Sequence, residues 1–270
     1  MPDLKILFLG DVVGEPGRRA ITNHLPALKE QEGIHFVICN GENAAGGFGI
    51  TTDTAQEMYL AGVDVITLGN HTWDKPGTEE QLAKDWKMLR PLNYPPGTPG
   101  AGQRVYPLGD GRQIAVVNLM GRLFMETNLD CPFQASEKLL QHLELGVNCS
   151  AIVVDVHAET ASEKRCLGGI WDGRASLVVG SHTHCPTADA HIMPGGTGYQ
   201  TDAGMCGNYN SSLGMDLEKG TARFTRKGRV MLDIAKGEGT LCGTLATIND
   251  KGLCSAIRPI RIGPILENAR

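Results

Sequence analysis

The chain has 270 residues with a formal net charge of −5, 41% hydrophobic and 20% charged residues, the balance of a globular protein long enough to bury a sizeable core. A negative net charge with only 5% aromatic residues excludes a broad basic field and a base-stacking platform, so no stable complex with long nucleic acid is expected. No apolar run reaches membrane-spanning length, the first residues lack the regions of a signal peptide, and none of the eight cysteines form a Cys-x-x-Cys pair; the expectation is a cytoplasmic chain with reduced, mostly buried thiols and no zinc ribbon.

Residues 4–9 form a short apolar run that stops at Gly10-Asp11, the mark of a buried parallel strand. Pro16 and Gly17 open a helical stretch that closes near Gly33, with Pro26 placed to kink or divide it. A second strand covers 35–39 and ends at Asn40-Gly41-Glu42-Asn43. A helix over 51–61 is closed by Gly62, and a third strand over 63–68 ends at Gly69-Asn70-His71. A helix over 77–88 precedes a loop over 90–102 rich in Pro and Gly. Strand 114–118 is followed by an amphipathic helix over 135–145, with Leu139, Leu140 and Leu143 as its apolar stripe. Strand 151–156 delivers His157, a short helix occupies 162–167, and strand 177–179 runs into Gly180-Ser181-His182-Thr183-His184. Beyond this point 230–234, 240–248 and 256–262 read as strands joined by turns, an antiparallel part of the sheet. With no repeat and no linker, the expectation is one α/β domain over residues 1–270 with two packed sheets.

The informative feature is where the polar residues fall. Apolar strands end in side chains of metal-ligand type, most of them just after a Gly: Asp11, Glu42, Asn70, and His182 with His184, while His157 directly ends its own strand. In an α/β sheet such positions gather outside the carboxyl ends of the strands. Gly10, Gly41, Gly69 and Gly180 are expected to permit the tight turns this requires. A mixture of carboxylate, amide and imidazole suits Mn, Fe or Zn better than Ca or Mg. The groups outnumber what one ion needs, whereas two ions about 3.5–4 Å apart, sharing a carboxylate, would suit in-line phosphoryl displacement.

In order, Gly-Asp, Gly-Glu-Asn, Gly-Asn-His, a lone His after a strand and Gly-x-His-x-His resemble the calcineurin-like metallophosphoesterase superfamily, and within it the YmdB-like family of bacterial phosphodiesterases. The stretches Leu9 to Gly14, Asn40 to Ala44, Gly69 to Asp74, Asp155 to Glu159 and Thr201 to Met205 carry the likeness over nearly the whole chain. The resemblance implies a two-sheet β-sandwich flanked by helices, in α/β/β/α layers. It implies that Asp11, Glu42, Asn43 and His184 hold one metal, and that Glu42 bridges to a second held by Asn70, His157 and His182. The ions would be two transition metals, Fe or Mn first and Zn as an alternative. His71 would be the catalytic residue, beside the scissile phosphate as general acid or transition-state stabiliser. The implied activity is hydrolysis of small phosphodiesters, 2′,3′-cyclic nucleotides above all, by a hydroxide bridging the metals. Val13 stands where the broad superfamily has His, Glu42-Asn43 where it has Asp, and Thr72 where it has an acid after His71. These departures match the YmdB-like branch; Asn43 could replace the missing His ligand, and Asp74 or a backbone carbonyl could orient His71.

Other readings remain in view. A phosphomonoesterase or small RNA nuclease would use the same core, and a nucleotide-binding regulatory protein with little turnover would keep the fold. Residues near Phe48, Trp73, Trp171 and Met205 are expected at the rim, with Gly46 to Gly49 as a rim loop and Asp202 and Gly204 at the pocket floor. Lys164 and Arg174 read as surface charges, Cys185 and Cys206 as buried thiols. The Pro-rich loop could support a homo-oligomer.

Overall fold

The computed structural model describes residues 3–125, 128–225 and 228–266. In chain order its elements begin with β1 (Leu4–Leu9), β2 (Asp11–Val12), α1 (Gly14–Glu32), β3 (Phe36–Asn40), α2 (Thr52–Leu60), β4 (Val65–Thr67), α3 (Thr78–Lys84) and β5 (Met88–Leu89). They continue with β6 (Gln103–Pro107), β7 (Gln113–Met120), α4 (Pro132–Leu139), β8 (Ala151–His157), α5 (Ala161–Trp171) and β9 (Leu177–Ser181). Last come β10 (His191–Ile192), β11 (Gly198–Gln200), β12 (Met205–Cys206), α6 (Leu217–Thr225), β13 (Leu241–Ile248) and β14 (Cys254–Ile262).

Two sheets carry the architecture. One has the order β14-β13-β1-β3-β4-β5, the other β10-β11-β9-β8-β7-β6. The centres are parallel, and antiparallel strands complete the edges: β13 and β14 on one sheet, β6 and β10 on the other. Successive side chains of a strand point to opposite faces, and both faces are apolar here. Leu4, Ile6 and Phe8 pack with Ile38, Val65, Ile114, Val116, Val153 and Val179 between the sheets. Leu7, Leu9, Val37 and Ile66 face outward onto Ile21 and Leu25 of α1 and Met58 of α2. On the other sheet Val117, Val154 and Val156 meet Leu167 and Trp171 of α5. The result is the expected α/β/β/α stack. Among the described residues, no helix is long and apolar enough to cross a membrane.

Local chemistry sets the boundaries. Thr51 and Thr54 form a reciprocal capping box at the start of α2. Pro26 does not divide α1, which runs on to a left-handed Gly33. The expected helix over 77–88 stops at Lys84, because Asp85 turns the chain: its carboxylate accepts from the Lys87 N–H and the Tyr59 hydroxyl. Met88 then enters the sheet as part of β5. The helix expected over 135–145 lies at Pro132–Leu139, with Pro132 at its first turn. The expected strand over 230–234 is absent; only Ile234 makes a bridge, to Met215.

Candidate active site

Four parallel strands, β1, β3, β4 and β8, end at one edge together with β9, and each delivers a polar residue there. Asp11 opens β2, whose partner is β12, with Met205 opposite Asp11. Glu42 and Asn43 follow β3, Asn70 and His71 follow β4, His157 ends β8, and His182 and His184 follow β9. The glycines do not play the part expected of them. Gly10, Gly41, Gly69 and Gly180 do not have positive φ; among these segments it is His182 and His184 that take left-handed backbone, at φ 98° and 63°. The glycines serve close approach instead. A Cβ on Gly69 would lie 2.3 Å from His157 Nε2 and 2.5 Å from Glu42 Oε2, and one on Gly180 would lie 1.8 Å from the Thr201 carbonyl oxygen.

His157 Nε2 is the centre of the cluster. It lies 3.0 Å from Glu42 Oε1, 2.9 Å from Asn70 Oδ1 and 3.2 Å from His182 Nδ1. Asp11 Oδ1 lies 3.8 Å from His157 Nδ1 and 3.9 Å from His184 Nε2. Asp11, Glu42, Asn43 and His157 are buried. The other Glu42 oxygen accepts the His71 backbone N–H at 2.8 Å, and the other Asp11 oxygen accepts that of His182 at 2.9 Å. Thus Asp11, Glu42, Asn70, His157, His182 and His184 converge, Asn43 lines the cleft beside Glu42, and His71 stands next to them.

Hydrogen bonds at the far side of each ring determine which nitrogen faces inward. Ser181 Oγ donates to Asp155 Oδ1 at 2.7 Å, so it accepts from His157 Nδ1 at 2.9 Å. Asn40 and Thr67 also donate to Asp155, fixing the carboxylate that holds Ser181. His184 Nδ1 donates to the Leu213 carbonyl at 2.9 Å, leaving Nε2 on the Asp11 side. His71 Nδ1 pairs with Asp74 Oδ2 at 2.7 Å, so Asp74, and not a carbonyl, orients this ring.

The electrostatics follow from burial. Burial works to raise the Glu42 carboxyl, but the charge and hydrogen bond of His157 and the contacts of His71 outweigh it and hold it at about 2. Burial works to lower His157, yet Glu42, Asp11 and Asp155 raise it to about 9. Burial and the His157 charge push His182 down to about 3. Burial raises Asp11 to about 6 against the pull of His184 and His157. The raised His157 value favours a proton on the ring opposite the Glu42 carboxylate.

The donor set fits a cation. Asp11 Oδ1 and Asn43 Oδ1 are buried without a hydrogen-bond partner, a costly arrangement unless another electrophile satisfies them. Glu42, His157 and His182 each offer one ligand atom, all within 4.8 Å of one another. Mixed carboxylate, amide and imidazole donors are of the kind that hold divalent metal ions.

Behind the cluster lies a second layer of residues, built on Asp202 and Gly204, which were expected at the pocket floor, and on Lys164, which was not. Lys164, expected on the surface, is buried and donates to Asp202 Oδ2 at 2.7 Å. The same oxygen accepts from the backbone and hydroxyl of Thr183, between the two histidines, and Asp202 Oδ1 accepts from the Gly204 N–H. Gly204 in turn accepts from the Asp11 N–H at 3.1 Å. Asp202 is thus the strut under both ligand loops. Trp171, expected at the rim, is in the core with its indole on Ser136. Met205 is buried, Trp73 packs on the core and on Tyr94, and Cys185 is exposed where a buried thiol was expected. Phe48 is at the rim, its ring edge-on to His71 at 5.0 Å between centroids. The cleft over the cluster, about 490 Å³, is walled by Phe48, His71, Glu159, Leu213, Arg223 and Phe224 among others; the last two lie on α6, which the sequence reading did not predict.

Two sheets between helices, with carboxylate, amide and imidazole side chains gathered at the strand ends, define a protein of the metallophosphoesterase class. The chain belongs to the YmdB-like protein family, whose sequence model matches residues 7–260. It is 45% identical over 248 residues to a 2′,3′-cyclic-nucleotide 2′-phosphodiesterase of Bacillus subtilis, covering 92% of each chain. Two crystal structures superpose with TM-scores of 0.90. A hypothetical protein from Thermus thermophilus is 42% identical, over 96% of this chain and 99% of the other. A novel phosphatase from Mycoplasma pneumoniae is 32% identical, over 97% of this chain and 94% of the other.

Proposed function

We propose that the chain is a metal-dependent phosphodiesterase that hydrolyses small phosphodiesters, with nucleoside 2′,3′-cyclic phosphates as its substrates. The observation that carries this reading is the meeting of Glu42, His157 and His182 with two buried oxygens, Asp11 Oδ1 and Asn43 Oδ1, that have no hydrogen-bond partner. In this reading Asp11, Glu42, Asn43 and His184 hold one ion, and Glu42, Asn70, His157 and His182 hold the other, with Fe or Mn as the metals and Zn as an alternative. Such a pair supplies a nucleophile at neutral pH and positive charge for an in-line displacement. The relative from Bacillus subtilis acts, by its name, on this class of substrate.

The chain's own residues do the rest. His71, with Nδ1 tied to Asp74, carries its remaining nitrogen toward the cleft and gives a proton to the departing ribose oxygen. Water adds to phosphorus, the bond to that oxygen breaks, and a phosphomonoester remains. Phe48 and Phe224 offer apolar faces on which a base can rest, and Arg223 offers a charge for the phosphate. The eight thiols, none in a disulfide, support work in the cytoplasm, and a net charge of −5 sets the protein apart from binders of long nucleic acid.

A substrate panel tests the activity. Protein purified without chelator and reconstituted with Mn is assayed on bis-p-nitrophenyl phosphate, p-nitrophenyl phosphate, 2′,3′-cyclic nucleotides and short RNA. Turnover is expected to be fastest on the cyclic nucleotides. Preference for the monoester or for RNA would replace the substrate assignment, and tight nucleotide binding without turnover in any divalent metal would replace catalysis with regulation.

A further inference from the structure

The stretch Asp155 to Glu159 supplies His157 to the cluster and Asp155 to the network behind it, and it carries a third ionisable side chain, Glu159. The Glu159 carboxylate Oε2 lies 3.0 Å from His182 Nε2, on the side of the ring opposite the cluster. The three cluster histidines make this contact meaningful. Each ring presents one nitrogen inward and is anchored through the other: His157 by Ser181 Oγ, His184 by the Leu213 carbonyl, His182 by Glu159. A metal-binding imidazole depends on such an anchor for its tautomer and its aim.

We infer that Glu159 is a positioning residue that holds the ring of His182 through Nε2 and so presents Nδ1 to the Glu42 and His157 side of the cluster. The inference rests on the reading of His182 as a metal ligand. The three anchors differ in kind. Ser181 is buried, Leu213 contributes backbone, and Glu159 is a half-exposed carboxylate on the wall of the cleft. A half-exposed contact adds little to folding stability. Its worth lies in orientation, because His182 sits on a left-handed backbone and its ring has one further hydrogen-bonding contact, the 3.2 Å approach of Nδ1 to His157. Glu159 also leads directly into the Thr160 cap of α5, which accepts from the Glu163 N–H. The carboxylate is therefore carried by a short, anchored connection from β8, well suited to hold a ring in place.

The test compares Glu159→Ala and Glu159→Gln with the wild type in the full chain. Titration of metal-free protein with Mn, followed by electron paramagnetic resonance, should show two equivalents bound by the wild type. Glu159→Ala should weaken one of the two by about 10- to 100-fold and leave the other unchanged. Glu159→Gln, which keeps an acceptor for the Nε2 proton, should recover most of the loss. In the metal-free protein the His182 ring N–H resonance should be visible in the wild type and lost to solvent exchange in Glu159→Ala, with the melting temperature unchanged. An unchanged ring resonance, or Ala binding both ions as tightly as wild type, overturns the role of Glu159. A fall in melting temperature with both ions weakened alike overturns it too, in favour of a merely structural contact. A wild type that binds no metal overturns the dinuclear reading instead, while the ring resonance still decides whether Glu159 anchors His182.

Discussion

His71 and His157 occupy the same edge of the sheet but stand in opposite situations. His71 is partly open to the cleft and hydrogen-bonded to Asp74; His157 is sealed among Glu42, Asn70 and Ser181. Replacing His71 with Ala should lower kcat by about 10²- to 10⁴-fold while metal content stays normal, and Asp74→Asn, which loosens the ring held at 2.7 Å, should produce a smaller loss in kcat. A full-rate His71→Ala enzyme would remove this residue from the chemistry. His157 makes the metal-free protein sensitive to pH. Its folded value of about 9 lies above the ordinary 6.5, so its contribution to stability is complete below about pH 6.5 and is lost as pH rises through 9. The Glu42 value of about 2 is depressed from 4.5, so that contribution is present above about 4.5 and is lost as pH falls through 2. Melting temperature of the metal-free protein should therefore decline from pH 6.5 toward 9. Mn added between those limits should release a proton, read as a buffer-dependent binding enthalpy. A melting temperature that climbs over the same range would contradict the assignment of a charged His157.

At the scale of elements, the ligand loops stand on contacts between distant segments. Gly180→Ala would drive a methyl into the Thr201 carbonyl, and denaturant unfolding should show a loss of about 1–3 kcal/mol or more. Lys164→Met leaves the Asp202 carboxylate buried without its cation, so a loss of about 3–5 kcal/mol is expected by the same measurement. Wild-type stability in either variant would mean that the backbone around Asp202 relaxes freely. These supports mark the limit of what the residues declare by themselves. Strands β1, β3 and β8 were legible because apolar runs end abruptly in Gly or in His157. The two-residue β2 and β12 exist only through each other across nearly the whole chain, as Met205 opposite Asp11 shows. Helix α6 is amphipathic, but of its residues it buries only Gly220, and the apolar Leu217 and Phe224 are exposed, so its place in the wall of the cleft follows from the tertiary structure alone. A lysine on a helix such as α5 announces solvent, and nothing near Lys164 in sequence points to Asp202, 38 residues on.

At the scale of the molecule, two sheets do one thing that neither could do alone. The first brings Asp11, Glu42, Asn43, Asn70 and His71 to its edge, and the second brings His157, His182 and His184. The apolar layer between them, from Leu4 to Val179, holds the two edges in register. The candidate ligands were readable because each terminates an apolar strand, and the α/β architecture dictates that such ends meet. Glu42 is where the two halves join: one of its oxygens contacts His157 of the second sheet and the other takes the backbone N–H of His71 of the first. Metal content of Glu42→Gln, measured by mass spectrometry beside wild type purified in the same chelator-free buffers, tests this joint most directly. The account predicts two ions per wild-type chain and the loss of both in the variant; retention of two ions by Glu42→Gln would contradict it.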